Sequence, residues 1–133
     1  MAIKNSPGGS CFPYYYKGGE LYCLHLGSYF SNEAAAIAML KAEQEFLKSE
    51  RRRIGVWIDF YETKLTDTVI KEFVATLRDL HDQITKLGLV GCPWLARWKI
   101  NRLIKSTASL SSLPVRYFAD PEDAKTWLVG KLK

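Results

Sequence analysis

Residues 54–91 constrain the fold of this chain more than any other stretch. An almost unbroken apolar run over 54–60 is followed by a segment without periodicity. An amphipathic pattern comes next, with Val69, Ile70, Phe73, Leu77, Leu80, His81 and Ile84 at helical spacing, and then a second apolar run over 87–91. Together these read as one βαβ unit. A helix joining two parallel strands crosses over right-handedly, so the strands lie side by side or one apart with the helix across one face. Near-continuous apolar strands are those covered on both faces. The helix is predicted to open at Thr66 or Asp67 and to stop near Thr85 or Lys86. In open sheets of this kind functional groups gather where strand carboxyl ends meet the loops. The corner between Asp59 and Thr68 is therefore the first place to look.

The flanking segments extend the same sheet. Tyrosine- and leucine-rich runs on either side of Gly18-Gly19 predict a hairpin, and the second run is apolar on both faces, as an interior strand should be. Ser31 or Asn32 caps a helix whose inward face comprises Ala35, Ala36, Met39, Leu40, Phe46 and Leu47, with Glu43 as a charged interruption. Arg51, Arg52 and Arg53 follow its C-terminus, where they complement the helix dipole. Cys92-Pro93-Trp94 opens the next helix. Ala96, Ile100, Leu103 and Ile104 share one face of it, and Trp94, Trp98, Asn101, Arg102 and Lys105 share another. Residues 113–118 form a last strand. Asp120 caps a final helix with Ala124, Trp127, Leu128 and Leu132 inward. The predicted order is β-β-α-β-α-β-α-β-α: an α/β fold with a mixed five-stranded sheet and four helices, one domain over 11–133 after a loose stretch over 1–10.

At 133 residues the chain fits one domain, and 47% hydrophobic with 25% charged residues predicts a packed core rather than disorder. No apolar run approaches the ~20 residues of a membrane helix, and the N-terminus lacks a secretory apolar region. A cytoplasmic location is expected. Cys11, Cys23 and Cys92 form no Cys-x-x-Cys pair, and His25 and His81 have no ligand-spaced companions, so neither a disulfide framework, a metal site nor a cofactor is expected. A formal charge of +5 and a pI near 9.1 permit an anionic partner. No aromatic-basic recognition motif calls for specific nucleic acid.

On its element order from about residue 20 to 132, the chain resembles a STAS domain, the module of anti-sigma factor antagonists and of the cytoplasmic part of sulfate transporters. That family carries a strand ending in Asp, a loop, and Asp-Ser-Ser-Gly-Leu-Gly at a helix start. Asp59 matches the strand-end Asp, and Asp67-Thr68 matches the Asp-Ser pair. Val69-Ile70-Lys71-Glu72 stands where the family has Ser-Gly-Leu-Gly, so the small residues at the helix start are missing. The last third, with residues 89–91, Trp94-Leu95, residues 114–118 and 122–128, is more similar to the stage II sporulation protein AA-like branch. The resemblance implies a regulatory module, with Thr68 as candidate phosphoacceptor and Asp59 and Asp67 in the switch loop.

Three kinds of site are open to such a chain. A phosphate on Thr68 would meet the positive end of a helix, with Asp67 and Glu62 opposing it; alternatively Thr66, Asp67 and Thr68 are ordinary cap and first-turn residues. Trp94, Trp98, Arg102 and Lys105 would suit an acidic partner or an anionic head group; alternatively the two tryptophans complete a core. Cys92 at a helix start would suit a nucleophile; alternatively it is a small buried residue beside Pro93. The expected function is non-enzymatic: a regulatory or binding module acting through a protein partner or a small apolar or anionic ligand. The alternative is a carrier of a lipid or other hydrophobic ligand, which requires a sizeable apolar pocket.

Overall fold

The computed structural model describes residues 4–26, 29, 31–60 and 62–130. Strands β3 (Tyr14–Tyr16), β4 (Gly19–His25), β5 (Ile54–Asp59), β6 (Ile84–Val90) and β7 (Val115–Phe118) form one sheet in that spatial order. The first pair is antiparallel and the other three are parallel, which places β5 in the centre and parallel to β6. Helices α1 (Glu33–Glu50), α2 (Asp67–Asp79), α3 (Trp94–Lys105) and α4 (Pro121–Val129) alternate with the strands, and a 3-10 turn (Ala108–Leu110) leads into β7. The expected α/β architecture and element order are those observed.

Alternation along the strands sorts the two faces of the sheet. Tyr22 and Leu24 of β4, Leu26 just after it, Val56 and Ile58 of β5, and Leu87 and Leu89 of β6 share a core with Leu40 and Leu47 of α1, Phe73 and Leu77 of α2, and Ile100 of α3. On the other face lies α4. It packs over Gly55 and Gly88, where a Cβ would stand 3.5 Å from Leu128 or Ala124 respectively, an ordinary contact distance. Leu132, expected inward on this helix, lies outside the described residues.

Two hairpin details differ from the expectation. The turn is Lys17-Gly18, both with positive φ (48° and 83°), closed by the Tyr16–Gly19 pair, and a two-residue loop of that handedness matches strand twist. Gly19 belongs to β4. Its smallness answers to packing, since a Cβ there would come within 2.6 Å of Val129 Cγ1.

The end of α2 is a correction. The helix stops at Asp79, not near Thr85, and Leu80 is its cap residue. Ile84, expected on the inward helical face, is the first residue of β6; it pairs with Ile54, whose N–H donates to the carbonyl of Gln83 at 2.8 Å. Strand hydrogen bonds therefore claim these residues, although Leu80 and Ile84 keep helical spacing. His81 is exposed rather than inward, with Nδ1 2.9 Å from the carbonyl oxygen of Arg78. Lys86, read as a helix end, lies on the α4 face of β6. Its Nζ donates to the carbonyls of Trp127 (2.8 Å) and Gly130 (2.6 Å), satisfying the C-terminus of α4.

Residues 4–10, read as loose, take part in a two-stranded ribbon of β1 (Lys4–Asn5) and β2 (Cys11–Phe12). The ribbon is fastened by Ser10, whose hydroxyl donates to the carbonyl of Cys23 at 2.6 Å, and by Gly8, whose N–H points to Glu43 Oε2 at 3.4 Å. Glu43 is wholly buried on α1 and also accepts from the Tyr22 hydroxyl at 2.9 Å. Burial, reinforced by the Glu43 carboxylate, raises the Tyr22 phenol well above its ordinary range, which keeps it a donor.

Candidate functional site

The corner after β5 is built by hydrogen bonds of its loop. Thr63 Oγ1 donates to the carbonyl of Leu26 (2.9 Å) and accepts from the N–H of Tyr29 (3.1 Å), so the loop is tied to the end of β4. Glu62 takes a left-handed φ of 51° there. Thr66 is the cap of α2: its hydroxyl accepts from the N–H of Val69 (3.1 Å) and donates to Glu33 Oε1 (3.0 Å). Asp67 and Thr68 are then the first two residues of the helix, and both are exposed.

The structure distributes the predicted switch residues over two sides. Asp59 ends β5, half-buried, in the alternation of Gly55 and Trp57 that faces α4. Asp67 instead accepts from Lys99 Nζ of α3 at 2.6 Å, and this ammonium holds its carboxyl below the ordinary value. The Asp67–Lys99 pair joins the start of α2 to the middle of α3.

Helix α3 packs by Ala96, Ile100 and Ile104, all buried, as the helical spacing predicts. Pro93 starts it without any side-chain cap. Its opposite side carries Trp94, Leu95 and Trp98, which are 77%, 48% and 56% exposed, followed by Arg102 and Lys105, also exposed. The tryptophans therefore complete no core. Residues 94–105 contain Arg97, Lys99, Arg102 and Lys105 but no Asp or Glu. Arg97 stacks over the Tyr117 ring (5.2 Å), and Lys99 binds Asp67. The Arg102 guanidinium lies over the Trp98 ring at 5.4 Å. Among the described residues neither Arg102 nor Lys105 has a carboxylate partner.

Two depressions flank this surface. One of about 360 Å³ lies between α2 and α3, floored by Ile70 and Leu103 and edged by Lys71, Trp98, Lys99 and Arg102. Another of about 260 Å³ lies beside the N-terminal half of α3, among Lys64, Leu65, Pro93 and Leu95. A third, of about 210 Å³, is on the α4 side, among Ser10, Cys11, Tyr14, Cys23 and Trp57. None of these three lies between the sheet and α1 or α2, where Leu40, Leu47 and Leu77 are fully buried. A carrier would need its cavity there.

Cys92 is buried, and burial pushes its thiol up to about 12, the reverse of what a nucleophile needs. Cys23 is raised to about 12 for the same reason.

Reasoning from sequence picked out Trp94, Trp98, Arg102 and Lys105, and the structure brings them onto one exposed stripe. It missed Leu95, Lys71 and Lys99. The absence of acidic residues from 94–105 was a signal for Lys99 and the cationic stripe, whereas Lys71 and Lys64, contributed from outside that segment, left none. Compared with protein-family models, curated proteins and solved structures, the chain finds no match.

Proposed function

We propose that this protein is a non-enzymatic binding module of STAS-like type whose working surface is the outward stripe of α3 and the groove it shares with α2. Its partner carries negative charge. The observation behind this reading is the coincidence of Trp94, Leu95 and Trp98 in solvent with cations that no acidic residue of α3 offsets. Large aromatics beside unpaired cations are the groups that dominate binding once they are desolvated against a partner.

Thr68 supplies the regulatory element of the proposal. Its side chain is exposed at the second position of α2, beside the Asp67 that engages Lys99. A phosphate here would gain from the helix N-terminus and would compete for Lys99 and Lys71, lowering the positive potential of the groove. Phosphorylation thus releases an anionic partner.

A titration with poly-glutamate, followed by tryptophan emission, tests the reading. Binding should weaken steeply with salt, fall in the Arg102→Gln, Lys105→Gln double variant, and fall by a smaller factor in Thr68→Glu. Binding that ignores both charge substitutions would refute it.

A further inference from the structure

Resting on that reading of α3, we infer that its partner is an anionic phospholipid bilayer, which α3 meets side-on. The stripe Trp94, Trp98, Arg102, Lys105 steps by four, four and three residues, so it stays on one side of the helix over about 16 Å at ~1.5 Å per residue. A helix at a membrane interface inserts apolar groups at the headgroup–acyl boundary while cations meet phosphates. Since the aliphatic face of α3 is buried in the domain, Trp94, Leu95 and Trp98 supply the inserting edge and Arg102 and Lys105 the cations.

The exposures argue for a soft planar surface over an acidic protein segment. Hot spots of protein interfaces sit in pockets whose rims exclude water. Trp94, at 77% exposure, has little protein around it, and Leu95 and Trp98 stand out beside it. Tryptophan has an apolar body and an N–H, which suits the zone between acyl chains and water. Arg102, stacked on Trp98, places a cation at the level that ring would reach. The neighbouring groove offers Ile70 and Leu103 as apolar floor with Lys71, Lys99 and Arg102 around it, a fit for a phosphate headgroup and its glycerol. Its one carboxylate, Asp67, is already engaged by Lys99.

The other large exposed aromatic among the described residues, Tyr15 at 63%, lies on β3, the edge strand at the opposite end of the sheet from β6 and β7. Among the described residues, α3 is where exposed tryptophans and cations coincide.

The test is co-sedimentation of the full chain with vesicles of phosphatidylcholine, with and without phosphatidylserine, at low and high salt, alongside the poly-glutamate titration. Binding is expected only with phosphatidylserine and should fall with salt. Trp94→Ser and Trp98→Ser should each lower vesicle affinity about tenfold or more, and Arg102→Gln and Lys105→Gln about fivefold each. Brominated acyl chains should quench wild-type emission. Vesicle binding indifferent to the tryptophan substitutions, or equal without phosphatidylserine, overturns the proposal. If poly-glutamate binds through Arg102 and Lys105 while vesicles do not, the bilayer is ruled out and the binding surface stands. If neither binds, both fall. Circular dichroism of each variant verifies that the fold is intact.

Discussion

On α1 a carboxylate faces inward with no solvent exposure, while on α3 two tryptophans face outward at 77% and 56%. Hydropathy would have placed these side chains the other way round. What separates the two helices is what lies above them. Glu43 has the Tyr22 hydroxyl at 2.9 Å and the N–H of Gly8 approaching from the ribbon, so its polar atoms are met where water is absent. Trp98 has the Arg102 guanidinium over its ring, and both tryptophans otherwise stand largely in solvent among the described residues. Burial follows the supply of partners, and Trp94, Leu95 and Trp98 standing together in solvent are the exposed apolar cluster on which the proposed interaction rests.

The contrast can be broken most forcefully at α1. Glu43→Ala should lower stability by about 3 kcal/mol, because a cavity opens and the buried Tyr22 hydroxyl loses its acceptor. Urea unfolding measures this, and a change below about 1 kcal/mol would mean that Glu43 is not an organising contact. Tyr22→Phe keeps the ring and removes one donor from the same pair, so a smaller loss of about 1–2 kcal/mol is expected in the same assay.

The α3 side of the contrast predicts near-silence. The Trp94→Ser, Trp98→Ser double variant should unfold within about 1 kcal/mol of wild type, since Trp94 is 77% exposed and Trp98 more than half exposed. Its emission should be shifted to the blue, because the remaining Trp57 and Trp127 are half-buried. A large loss of stability would return both rings to the core.

The smallest effect concerns Asp67. Lys99 depresses its carboxyl in the folded state, so the pair's stabilisation is present above the ordinary carboxylate value, about 3.9, and is lost as pH falls through the lower folded value. An exposed pair of this kind is screened, and added salt should flatten the dependence. Asp67→Asn removes that dependence and frees Lys99, so anion affinity should rise slightly. An unchanged pH profile in the variant would show that the pair is not populated in solution.

Much of this fold was legible from local pattern. The apolar runs over 54–60 and 87–91 and the period of 66–79 imply a parallel βαβ unit, and Asn32, Thr66 and Asp120 announce helix starts because each has a short oxygen-bearing side chain that can cap. The C-terminus of α2 was not legible. Leu80 and Ile84 continue the helical period, and only the pairing of Ile84 with Ile54 shows that the backbone has already become strand. Of the candidate surface, the cationic and aromatic stripe could be read from residues 94–105. The groove beside it could not, because Lys71 and Ile70 are contributed by α2, more than twenty residues earlier.

What the amino-acid sequence determined by itself was periodicity: which residues of each strand and helix share a side, and the order in which the elements follow. Which of those sides would be covered was decided only by tertiary structure. The ribbon of residues 4–12 arrives over Glu43 and Tyr22 from far along the chain, and among the described residues no element arrives over Trp94 and Trp98. Side-chain period is a local consequence of backbone geometry, whereas burial depends on which distant surfaces meet, and that is set by the packing of the whole domain.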